Sequence, residues 1–151
     1  MNHASRIPRP ALILGWLGVL PFAALTLLAA YGSDLPGGAP LGLLVLYGAI
    51  ILSFMGGAQW GLAMVTAAED AGALARRLAI SVMPALAGFG LWFAPPKLAA
   101  LGLAASFVLL LAYDRATARA GTAPPWYPAL RLQLTLAVIA CLLLAAAFGR
   151  S

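Results

Sequence analysis

The sequence predicts an all-α fold, namely a polytopic membrane protein built as a bundle of five transmembrane helices. The first reason is composition, since 64% of the 151 residues are hydrophobic and only 9% are charged. Soluble domains are about half apolar and about a quarter charged. The other two reasons are the five long apolar runs and the turn-forming residues that separate them. We expect one domain over residues 1–151.

The apolar runs give the limits of the predicted spans, which are residues 11–31, 41–67, 78–94, 98–113 and 130–148. A helix needs roughly 17 to 25 residues to cross the hydrocarbon core, so the fourth run is marginal in length. It follows the third after a short connection that contains Pro95 and Pro96, and proline ends a helix sharply. These two runs are therefore predicted to form an antiparallel hairpin.

The basic residues are distributed unequally between the two predicted sides of the membrane. Seven lie on the side of the N-terminus and two on the other. The seven are Arg6, Arg9, Arg76, Arg77, Arg115, Arg119 and Arg131, and the two are Lys97 and Arg150. Because Lys and Arg are enriched in cytoplasmic loops, this bias predicts a cytoplasmic N-terminus and an external C-terminus.

The sequence lacks the residue patterns that several classes of function require. The net charge of +5 is scattered without a basic face, which disfavours nucleic-acid binding. His3 and Cys141 are single residues of their types, so no metal site or Cys/His catalytic pair is predicted within one chain. No acidic residue falls deep in a predicted span, which disfavours a carboxylate proton relay. We therefore predict no enzymatic activity, no cofactor and no metal.

The second span carries small residues at every fourth position. Ala49, Ser53, Gly57 and Gly61 form overlapping small-xxx-small steps, and Gly56 adds another small residue. Such spacing lets helix backbones approach closely in lipid. The pattern predicts packing against another helix of the bundle, with a ligand cleft as the alternative.

Gln59 and Trp60 lie in the same segment but on different faces of the helix. Trp60 projects beside the small residues, whereas Gln59 points away from them. A primary amide in hydrocarbon requires a hydrogen-bond partner. The candidates are Ser81, Gln133 and backbone carbonyls near Pro21 or Pro84. Gln59 is interpreted either as an amide that bridges two helices or as part of a site for a substrate, a quinone or a lipid headgroup.

Arg131 lies about one turn inside the fifth span. A cation at this depth either extends to the membrane surface or pairs with an acid, and Glu69, Asp70 and Asp114 are predicted on the same side. Contact with a headgroup or an anionic substrate is the alternative. Pro84 within the third span predicts a kink, which can open a cavity.

These features favour a non-enzymatic role as a structural or accessory subunit. Its predicted partners are the lipid bilayer and either further copies of the chain or a larger membrane complex, without nucleic acid. The alternative is a binding or transport module for a small molecule, lipid or quinone, with a pocket near Gln59 and Trp60.

Three segments carry a family resemblance. They are Tyr47–Gly61 (YGAIILSFMGGAQWG), Ser81–Leu86 (SVMPAL) and the element with Trp126-Tyr127 and Leu130-Arg131. In this order they resemble the motifs of the membrane family catalogued as domain of unknown function 3429, which includes mitochondrial transmembrane protein 69. The resemblance implies a five-helix protein of bacterial inner membranes and, in eukaryotes, of mitochondria. It implies no particular function.

Overall fold

The computed structural model describes residues 6–32, 35, 38–66, 71–119, 121 and 123–149. Within them the chain forms α1 (Arg9–Tyr31), α2 (Pro40–Thr66), α3 (Ala71–Trp92), α4 (Pro96–Arg119) and α5 (Tyr127–Phe148). All five are long and apolar enough to cross a membrane, and no strand element occurs in this part of the chain. The prediction of an all-α, five-helix membrane protein is confirmed.

Proline and glycine set several of the helix ends. Proline lies in the first turn of four helices, where its missing N–H has no intrahelical partner to lose. These residues are Pro10, Pro40, Pro96 and Pro128. Gly32 ends α1 in the left-handed region, with φ of 71°, and its N–H donates to the Leu28 carbonyl oxygen. Glycine adopts this conformation without steric penalty, so α1 stops here.

Two helices are longer than the apolar runs that predicted them. α3 begins at Ala71 rather than at residue 78, and α4 continues to Arg119 rather than ending at residue 113. The apolar run marks the hydrocarbon-compatible part of a helix, whereas the helix itself continues into the more polar residues beyond that run. The extension of α4 matters most, because it places Asp114 inside a helix.

The core lies where α2 and α4 pack together and against the other helices. α2 contacts α1, α3 and α4, while α5 packs between α1 and α4. Phe22 of α1 lies at its centre, edge to face with Tyr47 of α2 and Phe107 of α4, at ring-centroid distances of 5.0 and 6.3 Å. The largest fully buried apolar side chains are Phe22, Leu41, Leu44, Leu52, Leu103, Phe107 and Leu142.

The outer surface of the bundle is apolar as well. Leu14, Phe54, Phe89 and Leu109 are each about two-thirds exposed or more. A soluble protein rarely shows so much contiguous apolar surface, whereas lipid-facing helices require it. The helices alone do not distinguish the two sides of a membrane, so the cytoplasmic N-terminus stays a prediction.

The packed face of α2 differs from the predicted one. A Cβ added to Gly57 or Gly61 would meet no atom within 4 Å, so these glycines contact no neighbouring helix in the described part of the chain. Ala49 does pack, against Gly88 of α3, and Gly56 packs against Ser81 and Pro84. The prediction that one stripe packs inside the bundle is wrong for Gly57 and Gly61.

The physical reason is the helical repeat. Each four-residue step advances about 400°, or 40° beyond a full turn, so Gly61 lies about 120° around the helix from Ala49. The face that is buried carries Gly48, Leu52, Gly56, Gln59 and Ala63, whose spacing averages closer to 3.6. Gly56 and Gly57 do not interrupt α2, which is continuous from Pro40 to Thr66.

Candidate functional site

Three polar side chains from three helices meet inside the bundle. Arg131 Nε of α5 donates to Asp114 Oδ2 of α4 at 2.6 Å, and Gln59 Nε2 of α2 donates to Asp114 Oδ1. All three residues are at most 5% exposed. We call Gln59, Asp114 and Arg131 the polar triad. It places a salt bridge, with both carboxylate oxygens bonded, in a mostly apolar interior.

Asp114 was one of the three acids predicted as possible partners of Arg131, but the sequence interpretation placed it in a loop after the fourth span rather than inside a helix. Asp114 is 2% exposed and lies within α4, five residues before its end, so an acid is buried inside the bundle near one end of a helix that is long and apolar enough to cross a membrane. Asp114 follows the buried residues Leu103, Phe107 and Leu110 at the same steps of three or four residues, so it lies on the same face of α4. The following residues up to Arg119 contain neither glycine nor proline. These two signals would have extended the helix and placed Asp114 on its inner face.

Gln59 has a different partner from those predicted. Asp114 holds its amide, whereas the Ser81 hydroxyl donates to the Leu78 carbonyl oxygen of its own helix at 2.7 Å. Gln133 is exposed on α5. The expected meeting of Gln59 with Ser81 or Gln133 is therefore wrong. A buried carboxylate attracts the amide more strongly than a neutral hydroxyl does, because hydrogen bonds to charged groups are stronger.

Arg131 pairs with an acid rather than extending to the surface. Its side chain is 7% exposed, and Asp114 is its salt-bridge partner. Glu69 and Asp70, the other predicted candidates, lie outside the described residues. The Tyr127 ring, one turn before Arg131 on α5, interacts with the charges of both members of the pair.

The remaining donors of Arg131 are poorly satisfied. Nη1 lies 2.7 Å from Met55 Sδ, and a thioether is a weak acceptor. Nη2 and the hydroxyl of Thr135, one turn deeper in α5, are both buried without a hydrogen-bond partner among the described residues. Leaving such a group unpaired costs about 1–3 kcal/mol.

Arg131, Thr135 and Met55 share one cavity. It has a volume of about 170 Å³ and lies between α1, α2 and α5, with Phe107 of α4 also in its wall. The rest of its lining is apolar apart from the glycine backbone: Leu14, Gly15, Gly18, Val19, Phe22, Ile51, Phe54, Leu134 and Val138. The cavity is partly open, so an apolar molecule can enter it beside a guanidinium.

The other two predicted site residues lie elsewhere. Trp60 is 40% exposed on the outer surface of α2, and neither it nor Gln59 lines this cavity. Pro84 lies inside α3, packs beside Gly56 and lines a separate cavity of about 170 Å³ between α3 and α4. Neither Gln59 nor Trp60 lines any of the four cavities described in this part of the chain, so a pocket at these two residues stays a prediction. Gln59 is connected to the cavity through Asp114 and Arg131.

The contacts within the polar triad determine which of its polar atoms remain free. Arg131 and Asp114 compensate each other's charge, and Gln59 occupies the second carboxylate oxygen. What remains for a ligand is a set of hydrogen-bond donors at the end of an apolar space.

Comparison with known proteins gives a family without an assigned activity. Residues 7–147 match the model of a family described as protein of unknown function (DUF3429). No curated protein and no solved structure gives a significant match, so the relationship to mitochondrial transmembrane protein 69 stays a prediction. Because the family model covers nearly the whole chain, the protein belongs to the DUF3429 family.

Proposed function

We propose that this multi-pass membrane protein is a non-enzymatic binding protein that holds a small apolar molecule in the cavity between α1, α2 and α5. One observation carries the proposal: two buried polar atoms at the wall of an apolar cavity, Arg131 Nη2 and Thr135 Oγ1, have no hydrogen-bond partner among the described residues. Location in a bacterial inner membrane, with seven of nine basic residues on the cytoplasmic side, is part of the proposal.

The size of the cavity supports an occupant of about one ring. An engineered cavity of about 150 Å³ lined by apolar side chains binds benzene, and this one is about 170 Å³. Leu14 and Phe54 belong to its lining and are 68% and 67% exposed. An apolar tail can therefore leave the cavity between α1 and α2 and enter the surrounding lipid.

We expect Gly18→Leu to abolish binding. Gly18 lines the cavity, and a Cβ there meets no atom within 4 Å, so the new side chain fills the space without a clash at its base. The protein is purified in native lipid particles and its bound apolar compounds are identified by mass spectrometry. A compound enriched with the wild type should be lost in Gly18→Leu.

Gly90→Leu is the matched control for this experiment. Gly90 lies on α3, is exposed, and likewise has open space at its Cβ, but it is not part of the cavity. This variant should retain the compound. Identical compound profiles for wild type and Gly18→Leu would contradict the proposal.

A second candidate function is that of an accessory subunit. It is favoured by the outer face of α2, where a Cβ at Gly57 or Gly61 would meet no described atom within 4 Å and Trp60 is exposed beside them. Small residues on a lipid-facing surface allow close approach of a helix from another subunit.

Gly57→Leu tests the subunit interpretation. Cross-linking in native membranes should trap an oligomer or a complex for the wild type, and the leucine should prevent it because it blocks close backbone approach. Gly90→Leu again provides the control. A wild-type protein that cross-links to nothing would exclude this role.

A further inference from the structure

The contacts of Arg131 indicate which chemical class of ligand fits the cavity. Its Nε is already committed to Asp114, whose other oxygen accepts from Gln59. Both carboxylate oxygens of Asp114 are therefore bonded, and the opposite formal charges of Asp114 and Arg131 lie side by side and compensate each other.

This neutrality disfavours an anionic ligand. A carboxylate or phosphate in the cavity would give the buried cluster a net negative charge, and a buried uncompensated charge is costly in an apolar surrounding. A neutral acceptor such as a carbonyl oxygen adds no charge and still accepts from a guanidinium N–H.

The donors of Arg131 left for such an oxygen are Nη2, which has no partner among the described residues, and Nη1, which contacts only the Met55 sulfur. Met55 lines the cavity and its sulfur is the acceptor for Arg131 Nη1. Sulfur accepts weakly and the methionine side chain is flexible, so a carbonyl oxygen can displace it from the guanidinium. Thr135, which also lines the cavity and has a free hydroxyl, supplies a second donor.

We infer that the ligand is a neutral carbonyl compound with a ring-sized head and an apolar tail, whose oxygen replaces the Met55 sulfur on Arg131. This inference rests on the proposed binding function. It adds that the cavity distinguishes neutral acceptors from anions of the same shape.

Three probes with one ring and one tail test this selectivity: 4-decylacetophenone, 4-decylbenzoate and decylbenzene. They carry a neutral carbonyl, a carboxylate and no acceptor, respectively. Binding to the full-length protein in lipid nanodiscs is measured by equilibrium partition, with protein-free nanodiscs as the reference, at a pH where the benzoate is ionised. We expect the ketone to bind roughly tenfold more tightly than either of the other probes, as one hydrogen bond to a charged group allows.

Two variants identify the residues responsible. Met55→Leu removes the competing sulfur at similar volume, so it should tighten ketone binding several-fold while lowering the stability of the empty protein. Thr135→Val removes a donor with little change in shape and should weaken ketone binding several-fold. If Met55 served only to pack the core, Met55→Leu would lower both the stability of the protein and its affinity for the ketone.

The outcomes separate this inference from the proposed function. Binding of all three probes with equal affinity would overturn the inference and leave the cavity as an apolar binding site. Preference for the benzoate would also overturn it. If no probe bound and Gly18→Leu changed nothing, the cavity would hold only water and the proposed function would fail as well.

Discussion

Asp114→Ala is expected to destabilise the protein by about 3–5 kcal/mol, the cost of leaving a buried charge without its partner. Arg131 loses its salt bridge at Nε, while Nη1 keeps only the Met55 sulfur and Nη2 keeps no partner. The measurement is equilibrium unfolding in mixed micelles of a mild detergent and dodecyl sulfate.

Two further variants identify the cause of this loss of stability. Arg131→Met added to Asp114→Ala removes the stranded charge, so the double variant should regain much of the lost stability. Arg115→Ala changes the exposed neighbour of Asp114 and should stay within about 0.5 kcal/mol of the wild type. An Asp114→Ala protein as stable as the wild type would show that the pair does not stabilise the fold.

Adjacent glycines of α2 should respond in opposite directions to alanine. A Cβ on Gly56 would lie 2.5 Å from the Ser81 carbonyl oxygen and 3.3 Å from Pro84 Cβ, so α2 and α3 must move apart. We expect Gly56→Ala to cost about 1–3 kcal/mol, as overpacked interiors do. Gly57→Ala meets no atom and should stabilise the helix by about 0.5–1 kcal/mol.

The same unfolding assay measures both variants. Gly57→Ala also serves as the control for any general effect of an extra methyl group in α2. Equal effects at the two positions would mean that Gly56 is not a point of close contact between α2 and α3.

The helices were predictable because membrane helices follow from apolar length alone. It was harder to predict which face of each helix packs inside the bundle, as α2 shows. A four-residue pattern of small residues suggested one contact face, but helical rotation carries Gly61 away from the face that holds Ala49. The exact period of the helix decided which glycines pack.

The polar triad could be predicted only in part. Gln59 and Arg131 stand out because each is polar within an apolar run. Asp114 was foreseen as a possible partner of Arg131, but its burial inside a helix was not, because it lies just beyond the end of an apolar run, where polarity normally marks a loop. Met55 and Thr135 carry no sequence signal, since their importance arises from the unsatisfied donors and the cavity around them.

The salt bridge of the polar triad joins consecutive helices, with Asp114 and Arg131 only 17 positions apart in the chain. A lone arginine in a transmembrane segment opposes insertion from the translocon by up to about 2.5–3.5 kcal/mol at the segment centre. Here the compensating carboxylate has already been synthesised when Arg131 emerges from the ribosome. α4 and α5 can therefore partition into the bilayer as one hairpin in which the charge of Arg131 is compensated by Asp114, and the order of synthesis itself helps the arginine enter the membrane.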